Sequence, residues 1–369
     1  MISGRATAEG TSRYRKRFEG RVAGGHFRPL GDLWLSSIGL GTYLGDADDI
    51  TDRGYEKAIR AALEAGCNVF DTAINYRNQR SEQAMGRALA RAFDEGVAAR
   101  DEVFVSTKAG FLPFDRDQPA DPQAYWLRTY IETGLLLPAD IAAGCHAIRP
   151  EFLADQLERS RRNLGLGTID LFYLHNPETQ IEDQEEQGWY RVGRALGWLG
   201  TLGDHIARFG VATWEGLRKP PGEVGHLSLA ALAEAAQPAD RSAGGPRLEA
   251  IQLPLNLAMP EAIAAPSQEF EGVTIPVVIA AAKLGLGVFT SASILQGRLV
   301  RALPPEVDSA FPGLDTDAQR ALQFTRSAPG VTTALTGMSR VEHVSENLEL
   351  SGLEPAGSEA FERLFTGSA

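Results

Sequence analysis

The sequence predicts an α/β chain closed into a (β/α)8 TIM barrel, with a long inserted loop after the third strand. Three observations carry this. Eight short apolar runs alternate with eight stretches rich in Ala, Leu, Arg and Glu between about residues 36 and 350. The runs are rich in Val, Ile and Leu, as parallel strands buried on both faces are. No solenoid-type repeat or low-complexity linker divides the chain. Alternating β and α elements specify a parallel sheet, and the count of eight favours closure over an open doubly wound sheet.

The strands read, in order, as "SSIGLGT" (36–42), "NVFDTA" (68–73), "VFVSTKA" (103–109) and "IDLFYLH" (169–175). They continue as "FGVAT" (209–213), "EAIQLPL" (249–255), "LGVFTSA" (286–292) and "GVTTALTG" (330–337). The helices fall at 52–65, 81–96, 150–164, 190–208, 228–236, 272–284, 315–327 and 340–350, where good helix formers dominate. Residues 1–369 read as one barrel domain with an N-terminal arm, 1–30, and a loop insertion, 110–149. The insertion is rich in Phe, Trp, Tyr and Pro, and reads equally as a small surface core or a substrate lid. Residues 255–271 form a second irregular stretch. In a barrel both hang over the C-terminal face, where sites are built.

The chain has 369 residues, of which 43% are hydrophobic, enough for a large core. With 36 Lys and Arg against 48 Asp and Glu, its net charge of −12 disfavours nucleic-acid and anionic-membrane partners. Cys67 and Cys145 are not a CxxC pair, and the six histidines are scattered, so no metal site is expected. Cys67 reads as a small buried hydrophobe. The N-terminus lacks the apolar core of a signal peptide, and no run reaches the ~18 apolar residues that span a bilayer. A cytoplasmic protein is the expectation. The basic run at Arg13–Arg17 reads as a solvated arm. Oligomeric state is left open.

Three consecutive strands end in polar residues: Asp71, Lys108 and His175. Their carboxyl ends share one rim, and Tyr76 arrives there from the loop after the second strand. Each residue alone has an ordinary explanation, as a helix cap, a solvated cation, a structural imidazole or a rim aromatic. Together they suit the reduction of a carbonyl by hydride, which leaves an alkoxide to be protonated. A phenol can donate that proton, and a nearby ammonium lowers its pKa from about 10. Tyr76 is then the general acid/base, Lys108 its tuner, Asp71 the anchor of Lys108, and His175 the group that orients the substrate oxygen.

"FDTAINY" with "RSEQAMGRAL", then "VFVSTKAG", then "SRRNLGLGTIDLFYLHNPE", resembles the aldo-keto reductases, and the likeness runs from "SSIGLGTY" to "GMSRVEHVSENLEL". The resemblance implies a (β/α)8 fold, catalytic roles for the same four residues, no metal, and NADP as cofactor, with NAD the alternative. It implies a small-molecule carbonyl or alcohol as substrate. It places Thr42, Gln252 and Ser291 at the nicotinamide, with Gln252 holding the amide. It places Gly337, Ser339, Arg340, His343, Glu346 and Asn347 around the adenosine phosphate, Ser339 and Arg340 facing the 2′-phosphate. Ser339 and Glu342 also read as a capping box.

Some positions depart from the family pattern. Ala212 and Thr213 stand where Ser-Asn is common, and Phe289 is the aromatic nearest to the place of the usual nicotinamide-stacking ring. These departures keep two other readings open: a cofactor-binding regulatory protein with little turnover, and a sugar dehydrogenase or epimerase using the same site. Tyr43, Trp126, Asn176 and Trp214 are the expected substrate contacts, with Phe111, Phe114 and Glu178 as further candidates. Arg77 and Arg80, beside the proposed acid, suggest an anionic or polyhydroxylated substrate.

Overall fold

In the computed structural model, which describes residues 1–237 and 245–366, the eight expected strands close into one parallel barrel. The expected domain range 1–369 includes 238–244 and 367–369, which lie outside the described residues. A hairpin, β1 (Phe27–Leu30) and β2 (Leu33–Ser36), precedes the barrel. The barrel strands follow as β3 (Ile38–Gly41), β4 (Val69–Asp71), β5 (Phe104–Ala109), β6 (Leu171–His175), β7 (Phe209–Ala212) and β8 (Leu248–Pro254). A second hairpin, β9 (Gln268–Phe270) and β10 (Val273–Ile275), interrupts them before β11 (Gly287–Ser291) and β12 (Thr333–Gly337). The ring runs β3 to β8 in sequence order, and β11 and β12 close it.

The barrel is filled rather than hollow. Val69, Phe104, Leu171, Tyr173, Ala250, Phe289 and Leu335 form a buried cluster inside it. Gly39 leaves room for that cluster, since a Cβ there would meet Leu335 Cδ2 at 2.7 Å and Thr333 Cγ2 at 2.9 Å. The first glycine of "GLGTY" is therefore a packing residue. Leu30, Leu33 and Leu35 of the first hairpin, with Ala6, join the same cluster and stop one end of the barrel. The opposite rim, at the strand carboxyl ends, is left to hold a site.

Helix boundaries follow local chemistry. Asp48 caps Asp49–Glu64 by accepting from Thr51 N at 2.7 Å. Pro150 opens Pro150–Leu164, and Gly165, at φ 68°, ends it. The stretch expected as a helix at 190–208 is Glu185–Leu199, and that at 272–284 is Val277–Lys283, because Val273–Ile275 pairs as a strand and Pro276 stands at the helix N-cap. The irregular stretch 255–271 contains a short helix, Glu261–Ala264, and the first strand of the second hairpin.

The N-terminal basic run is not a freely solvated arm. It lies in the helix Ala8–Arg17, which docks on the barrel. Arg13 and Arg17 both pair with the buried Glu102, and Arg15 lies over Trp34 at 3.8 Å. Tyr14 is buried and donates to the Leu63 carbonyl at 2.6 Å. Among the described residues no helix is long and apolar enough to cross a membrane.

The insertion 110–149 has a core of its own. Its ends pair with each other, Ala147 N donating to Gly110 O at 2.7 Å and Leu112 N to Cys145 O at 2.8 Å. Tyr130 and Leu136 are buried, and the Tyr130 ring packs edge-on against Phe152.

Candidate active site

Register brings the polar strand ends together. β4 and β5 pair Asp71 with Ser106, and β5 and β6 pair Lys108 with Tyr173. The Lys108 Nζ reaches back to Asp71 Oδ2 at 2.5 Å and to the Thr72 carbonyl at 2.7 Å. The other Asp71 oxygen accepts from Ser106 Oγ at 2.7 Å and from Gln252 Nε2 at 3.0 Å. Both charges are buried, which is tolerable only because they are paired and hydrogen-bonded. The same Nζ lies 4.9 Å from the centre of the Tyr76 ring, and the His175 ring stands edge-on to that ring at 6.0 Å. All four residues expected at the rim are thus assembled.

Their protonation follows from burial and charge. Burial disfavours the Lys108 cation, but Asp71 and then Tyr76 outweigh it and hold its pKa above the usual lysine value. Burial pushes the Tyr76 phenol above its ordinary pKa, and the charge of Lys108 offsets only part of the rise. The expected lowering by Lys108 is present, but desolvation is larger. Burial, with Lys108 second, holds the His175 imidazole well below its ordinary value, so it is neutral near pH 7. The site therefore presents a protonated phenol and a neutral imidazole beside a fixed cation.

A cavity of about 370 Å³ opens above these residues. Tyr76, His175 and Asp71 line it, as do Thr42, Tyr43, Asn176, Trp214, Gln252, Ser291 and Gly337 from the expected set. Four buried polar atoms on its lining residues have no hydrogen-bond partner among the described residues: Asn75 Oδ1, His175 Nδ1, Thr213 Oγ1 and Thr336 Oγ1. Such atoms are costly unless a ligand completes them. Asn75, Ser293 and Gln296 line the cavity but were not among the expected contacts. Asn75 adjoins Tyr76 in the chain, and that adjacency was its only signal in the sequence.

Several expectations need correction. Trp126 does not line the cavity; it stacks on Phe114 at 5.3 Å within the insertion. Phe111 is the insertion residue that does reach the cavity. Glu178 faces the loop after β7, where Oε1 accepts from Trp214 N at 2.7 Å and from Glu215 N at 3.2 Å. Phe289 is fully buried inside the barrel, stacked on Phe104, and does not reach the cavity. Gln252 reaches the cavity, but its amide donates to Asp71.

Arg77 and Arg80 are turned away from the cavity. The Arg77 guanidinium donates to Asp46 O at 2.7 Å and pairs with Asp52, and Arg80 pairs with Asp49 and Asp52. These bonds tie the turn after Tyr76 to the first turn of the helix Asp49–Glu64 and to the loop before it. The turn itself is unusual: Arg77, Asn78 and Gln79 have φ of 49°, 55° and 69°. Left-handed conformations cost non-glycine residues roughly 1 kcal/mol each, so this turn persists because its side chains are held. Gln79 Nε2 donates to Phe114 O at 2.9 Å, and Arg116 N to Asn78 O at 2.9 Å.

Of the residues expected at the adenosine phosphate, Gly337 lines the cavity and the others sit beyond it, around the helix Val341–Leu348. No Ser339–Glu342 capping box forms; Arg340 is the N-cap and provides no side-chain cap bond. Its side chain is 66% exposed, touching Glu342. His343 is half-buried. Glu346 accepts from Thr316 Oγ1 at 2.7 Å, and Asn347 is buried with Oδ1 unpartnered among the described residues.

Residues 37–215 match the model of the Aldo/keto reductase family. That span, just under half of the chain, is similar to the family. Aldo-keto reductase family 1 member C1 of Macaca fuscata fuscata is 28% identical over 153 residues, which is 42% of this chain and 33% of that protein. The chain thus spans about a third of the length of the curated relatives it matches first. An aldo-keto reductase of Mycobacterium avium is 46% identical over 61 residues, 16% of this chain and 19% of that protein. The fold extends further than the sequence likeness. An aldo/keto reductase from Klebsiella pneumoniae, solved with NADP and acetate, aligns over 93% of this chain and 94% of its own at TM-score 0.59 and 20% identity. A glycerol dehydrogenase from Gluconobacter oxydans aligns over the same shares at TM-score 0.58 and 20% identity.

Proposed function

We propose that this protein is an NAD(P)-dependent oxidoreductase that moves a hydride between a nicotinamide cofactor and a carbonyl or alcohol substrate. One observation carries the reading: Tyr76 lies against the buried Lys108–Asp71 pair at the floor of a cavity that His175 also lines. The residues fit such a cofactor. Thr213 and Thr336 offer unpartnered hydroxyls in the cavity, Ser291 lines it, and the helix at Val341 leaves its first N–H groups without a side-chain cap. Arg340 supplies an exposed cation beside those groups, which suits the 2′-phosphate of NADP. The Klebsiella pneumoniae relative, solved with NADP, points the same way.

When bound, the nicotinamide supplies or accepts the hydride. The chain does the rest. The neutral His175 orients the substrate oxygen by a hydrogen bond. Tyr76, kept protonated by its raised pKa, gives its proton to that oxygen as negative charge develops there. Lys108 stabilises the phenolate left behind, and Asp71 keeps Lys108 charged and aimed. In the reverse direction the same phenolate accepts the alcohol proton. Tyr43 and Trp214 flank the entrance with exposed aromatic faces, while Asn75 and Asn176 offer amides to substrate hydroxyls. Arg77 and Arg80 are committed to Asp49 and Asp52, so an uncharged, hydroxylated carbonyl compound fits better than an anionic one.

A second reading, a cofactor-binding protein with little turnover, draws on one observation: Phe289, the aromatic of β11, is absent from the cavity. A single experiment separates the two. Purified protein is titrated with NADPH by fluorescence, then assayed for NADPH oxidation across a panel of aldehydes. The reductase reading expects binding and turnover. Tight binding with no reacting carbonyl or alcohol supports the second reading, and no binding removes both.

A further inference from the structure

His175 does not stand alone, and the group that holds it comes from the insertion. His146 is fully buried at the returning end of the 110–149 segment, and its Nε2 lies 2.7 Å from the His175 carbonyl oxygen. A carbonyl only accepts, so His146 Nε2 carries the proton. Its Nδ1 then has a lone pair, which the Gln180 amide meets at 3.0 Å. Gln180 Nε2 also donates to the His146 carbonyl at 3.0 Å, and its Oε1 accepts from Arg191 at 2.8 Å. Arg191 donates in turn to Ala139 O at 2.6 Å, back in the insertion. The donor directions along this chain agree with one another and fix a single tautomer. Burial lowers the His146 pKa to about 4, consistent with a neutral ring.

The approach is close because Gly110 permits it. A Cβ at that position would lie 2.5 Å from the His175 carbonyl oxygen and 2.8 Å from His146 Nε2. Phe111 then sets its ring edge-on to both imidazoles, with centroids 5.0 Å from each. His175 is thus gripped at its backbone by His146 and at its ring by Phe111.

We propose that His146 is a positioning residue for the reaction, holding His175 against Tyr76 through the main-chain carbonyl, with Gln180 fixing its tautomer. The insertion is then part of the machinery that sets the orienting imidazole, whether or not it also covers substrate. This rests on the reading of His175 as the group that orients the substrate oxygen. Displacement of such a group by even a fraction of an ångström weakens turnover more than binding.

The test uses His146→Ala and His146→Gln in the full chain, compared with wild type. Glutamine carries an amide nitrogen the same number of bonds from Cα as His146 Nε2, so it can restore the bond to the carbonyl. The His175 imidazole signals are followed by 15N NMR, assigned with His175→Gln among the six histidines. We expect His146→Ala to shift those signals and lower kcat by roughly tenfold or more, with the NADPH Kd within about twofold of wild type. We expect His146→Gln to recover most of both changes. Unmoved His175 signals in folded His146→Ala overturn the proposal, as does a kcat loss that His146→Gln does not recover. Should the alanine variant fail to fold, Gln180→Leu, which strips His146 Nδ1 of its donor, is read by the same two measurements. If wild type turns over no carbonyl at all, the reductase reading fails, and the His175 signals alone decide whether His146 positions it.

Discussion

Lys108 Nζ lies 2.5 Å from Asp71 Oδ2, and neither side chain is more than 6% exposed. Removing one member of a buried pair strands the other, which typically costs about 3–5 kcal/mol. Asp71→Asn is therefore expected to lose about that much stability in urea denaturation. It should also lose turnover, because Lys108 sheds the anion that keeps it charged beside Tyr76. Asp71→Asn with wild-type stability would show that the pair is not what holds Lys108.

Arg77 makes a different prediction. Its side chain is 2% exposed and bound to Asp52 and the 46–48 backbone. Arg77→Ala frees the left-handed turn that follows Tyr76. Asp52 keeps Arg80 and Arg87 as partners, so the expected loss is near the lower end for a buried pair, about 3 kcal/mol. The ratio of KM values for an anionic and a neutral aldehyde should not change. A selective rise in KM for the anionic compound would put Arg77 in the cavity after all.

The tryptophans separate cleanly. Trp214 lines the cavity and is 39% exposed, whereas Trp126 stacks on Phe114 inside the insertion. Trp214→Ala should raise KM severalfold with little loss of stability. Trp126→Ala should lower the urea midpoint, as loss of packed aromatic area does, and leave KM for the same aldehyde nearly unchanged.

His26 supplies a pH test. It is buried, bonded to the Gly66 carbonyl, and burial lowers its pKa to about 4. A folded-state pKa below the unfolded value of 6.5 favours the fold above pH 6.5, and that contribution is lost as pH falls through about 4. Buried Glu82 and Glu178 have raised pKa values and act in the opposite direction, so the total stability is not diagnostic. The comparison with His26→Gln is. Any advantage of wild type over this variant should shrink between pH 6.5 and pH 4 by on the order of 3 kcal/mol. A constant difference across that range contradicts a buried neutral His26.

The barrel strands were legible because they are apolar on both faces and bounded by turn residues, and each expected run contains or adjoins its observed strand. The helix Ala8–Arg17 was not, because its buried positions are Gly10, Thr11 and Tyr14 rather than an aliphatic stripe. Its docking depends on distant partners such as Glu102, which no local pattern reveals. The same limit applies at the site. Asp71, Tyr76, Lys108 and His175 were readable because consecutive strands must share a rim. The direction of Arg77 was not, since it depends on Asp52 from the helix Asp49–Glu64 and on three left-handed residues of ordinary type. His146 gave no signal, since its meaning lies in a contact with the backbone of a residue 29 positions away.

The central claim is that Tyr76 is the proton donor of an NADPH-dependent reduction. Tyr76→Phe removes one oxygen and leaves the ring that faces Lys108. Parallel measurement of NADPH affinity by fluorescence and of turnover with the best aldehyde tests it most directly. The account predicts an NADPH Kd within about twofold of wild type and a kcat lower by roughly 10²–10⁴-fold. Wild-type kcat in Tyr76→Phe would contradict it.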